Sequence, residues 1–205
     1  MEAHKHGPKL PTPGLSLVVG FANTVACQAC RAGDALDKPS DFHAWGRSFL
    51  VSEPERVSEG GLRYLRRFRH ALREVVAAAI DGREPSRVAL RSVNVASHRV
   101  HPSSSLSWEG GSWELVEGPV TCEGPERVAY QVARAAVALL TSPERTRLRR
   151  CQGPGCAHFL FARTRTQLWC SSAGCGNRVR VARHYRRAKS PARKGSSILG
   201  RPKRT

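Results

Sequence analysis

The sequence predicts an α+β chain: a mainly helical N-terminal domain with one β-hairpin, then a small four-cysteine module that ends in a basic helix. Three observations carry this. Apolar residues recur at intervals of three and four along several long stretches, which puts them on single helix faces. Tryptophan and leucine alternate about a Gly-Gly pair, as strands joined by a tight turn do. Two close cysteine pairs fall within residues 151–175, where the chain is basic and carries no acidic residue at all. At 205 residues the chain has room for one ordinary domain and a small module, each able to bury a core.

Residues 1–14 are rich in Pro, His and Lys and read as a disordered lead-in. Residues 15–144 form the expected helical domain. Its first segment, Leu15 to Cys30, is apolar with small residues, and Leu17, Phe21, Thr24 and Val25 share a helical face, so a buried helix is expected there. From Ser40, Phe42, Trp45 and Phe49 mark a short second helix. Leu62 to Ile80 is the clearest amphipathic helix: Leu62, Leu65, Phe68, Leu72, Val75, Val76 and Ile80 form its stripe, Arg63, Arg66, Arg67, His70 and Arg73 lie outside it, and Asp81-Gly82 ends it. Ser86 to His98 reads as another helix entered through Pro85. In residues 103–117, Leu106 and Trp108 face Trp113 and Leu115 across Gly110-Gly111, giving the hairpin. From Pro125, Val128, Val132, Ala135, Ala136, Leu139 and Leu140 define a last helix, which Thr141, Ser142 and Pro143 close. The finger module is expected over 145–190, and 191–205, rich in Pro, Gly and Ser, reads as a mobile basic tail.

Charge is unevenly placed. Residues 145–205 hold 17 of the 34 Lys and Arg and none of the 16 acids, so the first 144 residues are near neutral and the rest are strongly cationic. A one-signed field of that size attracts polyanions, nucleic acid first among them. Apolar runs fall short of the ~18 residues of a membrane span, and no secretory leader is visible, so a reducing cytoplasm, with nucleoid association, is the expected setting.

Cys151, Cys156, Cys170 and Cys175 follow C-x4-C-x13-C-x4-C. Two knuckles joined by a short loop suit a tetrahedral Zn2+ site with sulfurs ~2.3 Å from the ion. Gly153, Pro154, Gly155 and Gly174 supply the tight turns. His158 and His184 are weaker alternative ligands. Cys27 and Cys30 form a C-x2-C on the first segment, read as ordinary buried small residues before a redox pair or a second half-site, and Cys122 stands alone.

The knuckle cysteines, the Trp169-Cys170 pair and the run Cys175-Gly176-Asn177-Arg178 resemble the CGNR-type zinc finger family of stress-induced bacterial transcriptional regulators. Upstream, GFANTVA at residues 20–26 is similar to that family's FxNT signature, and RHALREVVAAAIDG, VNVASHRV and ARAAVALLTSPERTRLRRC are similar to its N-terminal domain. The resemblance covers roughly residues 15–190 and implies zinc and a regulator's role. One departure is local: the acidic residue the family carries after Leu-Phe of the finger loop is replaced here by Ala162, Arg163, Thr164 and Arg165.

Residues 176–188 read as a helix launched from the last cysteine. Asn177, Val181, Ala182 and Tyr185 are expected to pack inward, while Arg180, Arg183 and Arg187 line an outer face. Asn177, Arg178, Arg180, Arg183, Arg186 and Arg187 are the candidate nucleic-acid contacts, since Arg grips phosphates or guanine edges and Asn reads adenine. Duplex DNA is the expected partner, with RNA the alternative. The helical domain would sense a small-molecule effector or form a homodimer. No phosphate-loop, dinucleotide, zinc-protease or hydrolase motif is present, and His98, His101 and Glu109 are better read as inert than as an acid-base set, so an enzyme is not expected. A thiol enzyme built on Cys27 and Cys30 is the remaining rival of that class.

Overall fold

The computed structural model describes residues 13–50, 57–98, 104–109, 112–117 and 123–189. Residues 1–12 of the expected 1–14 lead-in, the tail over 191–205, Cys122, His101 and the Gly110-Gly111 pair lie outside them; the last two lead-in residues, Pro13 and Gly14, instead open the first helix. The chain is mainly helical, with a two-stranded hairpin and a C-terminal cysteine-rich module. Among the described residues no helix is long and apolar enough to cross a membrane.

Helix α1 spans Pro13–Ala22, α2 Pro39–Phe49, α3 Glu59–Asp81, α4 Arg87–His98 and α5 Gly124–Thr141. The centre is α3. The Ser58 hydroxyl accepts the Gly61 N–H at 3.1 Å to start it, and Gly82, at φ 65°, ends it in the left-handed conformation that glycine adopts without strain. Its stripe of Leu62, Leu65, Phe68, Leu72, Val75 and Val76 is buried against α1, α4 and α5. Each such side chain contributes about 1.5–3 kcal/mol on leaving water. Phe21 of α1 meets Trp45 edge-on at 5.5 Å and Phe68 at 5.6 Å, and the Trp45 indole N–H donates to the Gly20 carbonyl at 3.3 Å. Gly20 is glycine because the Phe49 ring occupies the space a β-carbon would take. Ser86 caps α4 by accepting the Ala89 N–H at 3.2 Å, while Glu74 of α3 accepts the Ser86 N–H at 2.8 Å.

Strands β1, Ser104–Glu109, and β2, Ser112–Glu117, pair antiparallel with Trp108 opposite Trp113 and Leu106 opposite Leu115, the register expected of a two-residue connection.

One expected helix is shorter than its composition suggested. The apolar run from Leu15 does not stay helical to Cys30: α1 stops at Ala22, and Gln28–Cys30 form only a single 3₁₀ turn. The cause lies at Asn23 and Thr24. Asn23 leaves the helix to pair with a distant strand, its amide nitrogen donating to the Phe159 carbonyl and its oxygen accepting the Phe159 N–H, both at 2.8 Å. Thr24 turns back, donating from its hydroxyl to the Phe21 carbonyl at 2.8 Å and accepting from Arg69 at 3.1 Å. Arg69 of α3, only 7% exposed, also makes a two-pronged ion pair with Asp34 at 2.6 and 2.7 Å. Two tertiary anchors therefore outweigh local helix preference.

The C-terminal module packs directly on this body. Strands β3, Leu148–Arg150, and β4, Phe159–Phe161, pair antiparallel, and Leu148 and Phe159 are buried in the same apolar cluster as α1, α3 and α5. Arg150 reaches Asp81 at the end of α3 at 2.9 Å, and Arg73 of α3 donates to the carbonyls of Ala22 and Ala157, both at 2.6 Å. The last helix, α6, spans Asn177–Lys189.

Candidate metal centre and basic helix

Between β3 and β4 the chain makes the first knuckle. The Cys151 N–H donates to the His158 carbonyl at 2.9 Å, and the Cys156 N–H to the Gly153 carbonyl at 2.9 Å, with Gly155 at φ 67° making the turn. The Cys151 sulfur accepts the backbone N–H of Gly153 at 3.4 Å and of Cys170 at 3.3 Å. Such bonds favour the thiolate. Gly153 must be glycine for closeness as well, since a β-carbon there would sit 2.9 Å from Cys175 Cβ and 3.0 Å from its sulfur.

The second knuckle is a wide π-type turn over Ser172–Gly176, capped by the Ser171 hydroxyl, which accepts the Gly174 N–H at 3.0 Å. It carries Cys175 inward and passes straight into α6. Cys170 stands 3.8 Å from Cys156 and 3.7 Å from Cys175, sulfur to sulfur. A small apolar shell of Leu160, Ala162 and Trp169 surrounds the group.

The four sulfurs that all lie within 4.8 Å of one another are Cys156, Cys170, Cys175 and Cys30. Cys30 comes from the helical domain, its sulfur 3.3 Å from Cys156 and 3.6 Å from Cys175. Cys151 borders the same cluster through the two N–H bonds above. The spacing fits a tetrahedral ion, whose sulfurs at ~2.3 Å stand roughly 3.8 Å apart. Electrostatics agree with that fit. Burial pushes the thiols of Cys30, Cys156 and Cys170 up, Cys156 to about 11, so several thiolates cannot coexist here without a counter-charge. At Cys151 burial also opposes ionisation, but the N–H groups of Cys170 and Gly153 outweigh it and hold the thiol low. Burial likewise opposes ionisation of Cys27, yet bonds from Cys30 and the Ala157 backbone bring that thiol down to about 7. A divalent cation held by these sulfurs would supply the missing positive charge.

The candidate nucleic-acid residues divide into two groups. Arg178 is half-buried and folds back, its guanidinium 3.4 Å from the Cys175 sulfur and 3.5 Å from the Pro154 carbonyl. Arg180 donates to the Ser172 carbonyl at 3.2 Å. Asn177, Arg183, Arg186 and Arg187 are exposed. The expected inward packing of Asn177, Val181, Ala182 and Tyr185 does not occur: Val181 is 44% and Tyr185 62% exposed, and residues 180–188 are all exposed. With arginines all round and few apolar residues, α6 has no stripe wide enough to hold it on the body. From residue 180 to 188 it is exposed instead. His184 makes an edge-on contact with Tyr185 and belongs to neither close-set group of ligand atoms.

Spacing alone missed the parts contributed by the helical domain. Asn23, Arg73 and Cys30 bind the finger from more than 70 residues away in sequence. For Asn23 a signal existed, since it is the asparagine of the FxNT-like run.

Comparison with family models agrees with this architecture. A search of curated proteins found no match. Residues 147–188 match the CGNR zinc finger. Residues 15–143 match the ABATE family, described as "putative stress-induced transcription regulator". The chain therefore belongs to the ABATE family, and it carries a CGNR zinc finger behind that domain.

Proposed function

We propose that the chain is a zinc-dependent DNA-binding transcription regulator of the bacterial cytoplasm, associated with the nucleoid and acting without catalysis. In this reading Cys151, Cys156, Cys170 and Cys175 hold Zn2+, and the ion fixes the angle at which α6 leaves the finger. Asn177, Arg183, Arg186 and Arg187 then meet duplex DNA, while Arg178 and Arg180 brace the helix start and the Lys and Arg residues that follow α6 in sequence add phosphate contacts. The observation that carries the reading is α6 itself: a helix exposed over residues 180–188, free of acidic residues and rooted in a cysteine cluster. A cationic helix that is exposed over most of its length is suited to a groove outside the molecule.

The helical domain supplies the input. A cavity of about 570 Å³ lies between α1, α2 and the finger, lined among others by Gly20, Asn23, Trp45, Phe49, Phe161 and Arg163. Its size suits a small molecule, and its aromatic walls with one arginine suit a flat anionic effector. Because both units line it, an occupant bears on how the finger is held.

The test is binding of the zinc-loaded protein to duplex DNA across a salt series. Neutralising ~6 phosphates gives a slope near −5 in log affinity against log salt. Chelation of zinc should abolish the ordered part of that binding. A slope near zero, or binding indifferent to chelation, refutes the proposal.

A further inference from the structure

The pair Cys27 and Cys30 does not lie in the apolar core. It occupies a tight turn facing the finger: the Cys27 N–H donates to the Ala32 carbonyl at 2.9 Å, the Ala32 N–H returns to Cys27 at 3.1 Å, the Cys30 N–H donates to the Cys27 carbonyl at 2.9 Å, and Arg31 takes the left-handed conformation at φ 54°. That is a third knuckle, carried by the helical domain. Cys27 is 4.0 Å from Cys156 and Cys30 is 3.3 Å from it, sulfur to sulfur.

His158 completes the group. Ligand atoms of Cys27, Cys30, Cys156 and His158 all lie within 4.8 Å of one another. The imidazole hydrogen-bonds the backbone of Val25, and its Nε2 is buried with no partner. One nitrogen held by backbone and the other with an unused lone pair is the arrangement of a metal-bound histidine, whose second nitrogen is oriented by an outer hydrogen bond. Leaving that atom dry and unpartnered would otherwise be costly.

The donor count also exceeds one ion. Six sulfurs and one imidazole converge here, whereas a tetrahedral ion takes four ligands. Two such ions that share one ligand take seven. Cys30 and Cys156 fall in both close-set groups; with Cys151 completing the finger site, Cys30 is left for the second ion and Cys156 is the one sulfur shared.

We propose that Cys27, Cys30, Cys156 and His158 bind a second divalent ion of zinc type, with the Cys156 thiolate bridging it to the ion of the finger. This rests on the finger holding zinc in the first place. The second ion pins the Cys27–Ala32 turn to the first knuckle, so metal loading governs how firmly the helical domain grips the finger.

The test is metal stoichiometry by native mass spectrometry on the full chain after zinc loading and removal of excess, repeated with Cys27→Ser and His158→Ala. Two zinc ions per wild-type chain and one in each variant are expected. Cobalt titration gives an independent readout: the second equivalent should show a weaker sulfur charge-transfer band than the first, and His158→Ala should remove that second step alone. One zinc in the wild type, or a Cys27-Cys30 or Cys30-Cys156 disulfide in its place, overturns the second site while leaving the finger intact. Two zinc ions in both variants overturn the ligand assignment. No zinc in the wild type overturns the finger reading as well.

Discussion

Asn23 is the residue on which the finger's attachment to the helical domain can be weighed. Its side chain satisfies both the N–H and the carbonyl of Phe159, each at 2.8 Å, and Phe159 is 2% exposed. Truncation in Asn23→Ala leaves a donor and an acceptor without partners in a place water reaches poorly. At about 1–3 kcal/mol for each unsatisfied group, discounted for partial entry of water into the space left by the side chain, the expected loss is about 2–4 kcal/mol. Asn23→Asp keeps the acceptor but sets a carboxylate oxygen against the Phe159 carbonyl, so its loss should equal or exceed that of alanine. The assay is urea unfolding at fixed free zinc, reading the midpoint at constant slope. Amide exchange at Phe159 reports the same site directly and should accelerate in both variants. A loss below about 0.5 kcal/mol in both would show that water replaces the asparagine, and that the pairing of α1's end with β4 is incidental to the fold.

Further substitutions probe the ion pair, the knuckle and the basic helix. Arg69→Ala strands the Asp34 carboxylate and should cost about 3 kcal/mol; a near-neutral change in thermal unfolding would refute the anchoring role. Burial raises the Asp34 carboxyl, but hydrogen bonds from Arg69 and the Leu36 N–H and the nearby guanidinium charges outweigh it and hold it below the usual range. Its folded pKa being depressed, this stabilisation is full above the ordinary carboxylate pKa and is lost as pH falls through the folded value, so Asp34→Asn should flatten the acid limb of the stability profile. Gly153→Ala drives a β-carbon against Cys175 and should weaken zinc affinity at least about tenfold, as lost support around a metal site does; unchanged affinity in a competition titration would count against the packing. Arg183→Ala and Arg187→Ala, both on the exposed part of α6, should each weaken duplex binding and reduce the salt slope by about one unit while leaving zinc uptake unchanged.

Periodicity made α3 and α5 legible because each has a wide apolar stripe and a clear stop, Gly82 for one and Ser142-Pro143 for the other. The hairpin was legible from the Gly-Gly pair and the alternation of leucine and tryptophan on either side of it. The meeting of Cys156, Cys170 and Cys175 followed from knuckle spacing. What escaped prediction depends on contacts distant in sequence. The end of α1 is set by Phe159, 136 residues away from Asn23, which apolar periodicity cannot show; the asparagine of the FxNT-like run was the one local sign of it. Cys30 looked like a small core residue because nothing nearby reveals that its turn faces the finger. Val181 and Tyr185 have the spacing of a packed face, but spacing does not say whether a surface exists to receive it. Arg69 is the same lesson with charge: among the many arginines of α3, only its position opposite Asp34 separates it from the solvated ones.

In the proposed function a metal-organised finger presents α6 to duplex DNA for sequence recognition. Selection from a randomised duplex pool by the zinc-loaded full-length protein, at ~150 mM salt where nonspecific binding is already weakened, tests it most directly. A reproducible enriched motif that disappears on chelation is expected, with half-site spacing reporting whether the protein binds as a homodimer. Tight binding with no enrichment, or preference for structured RNA over every duplex, would contradict it.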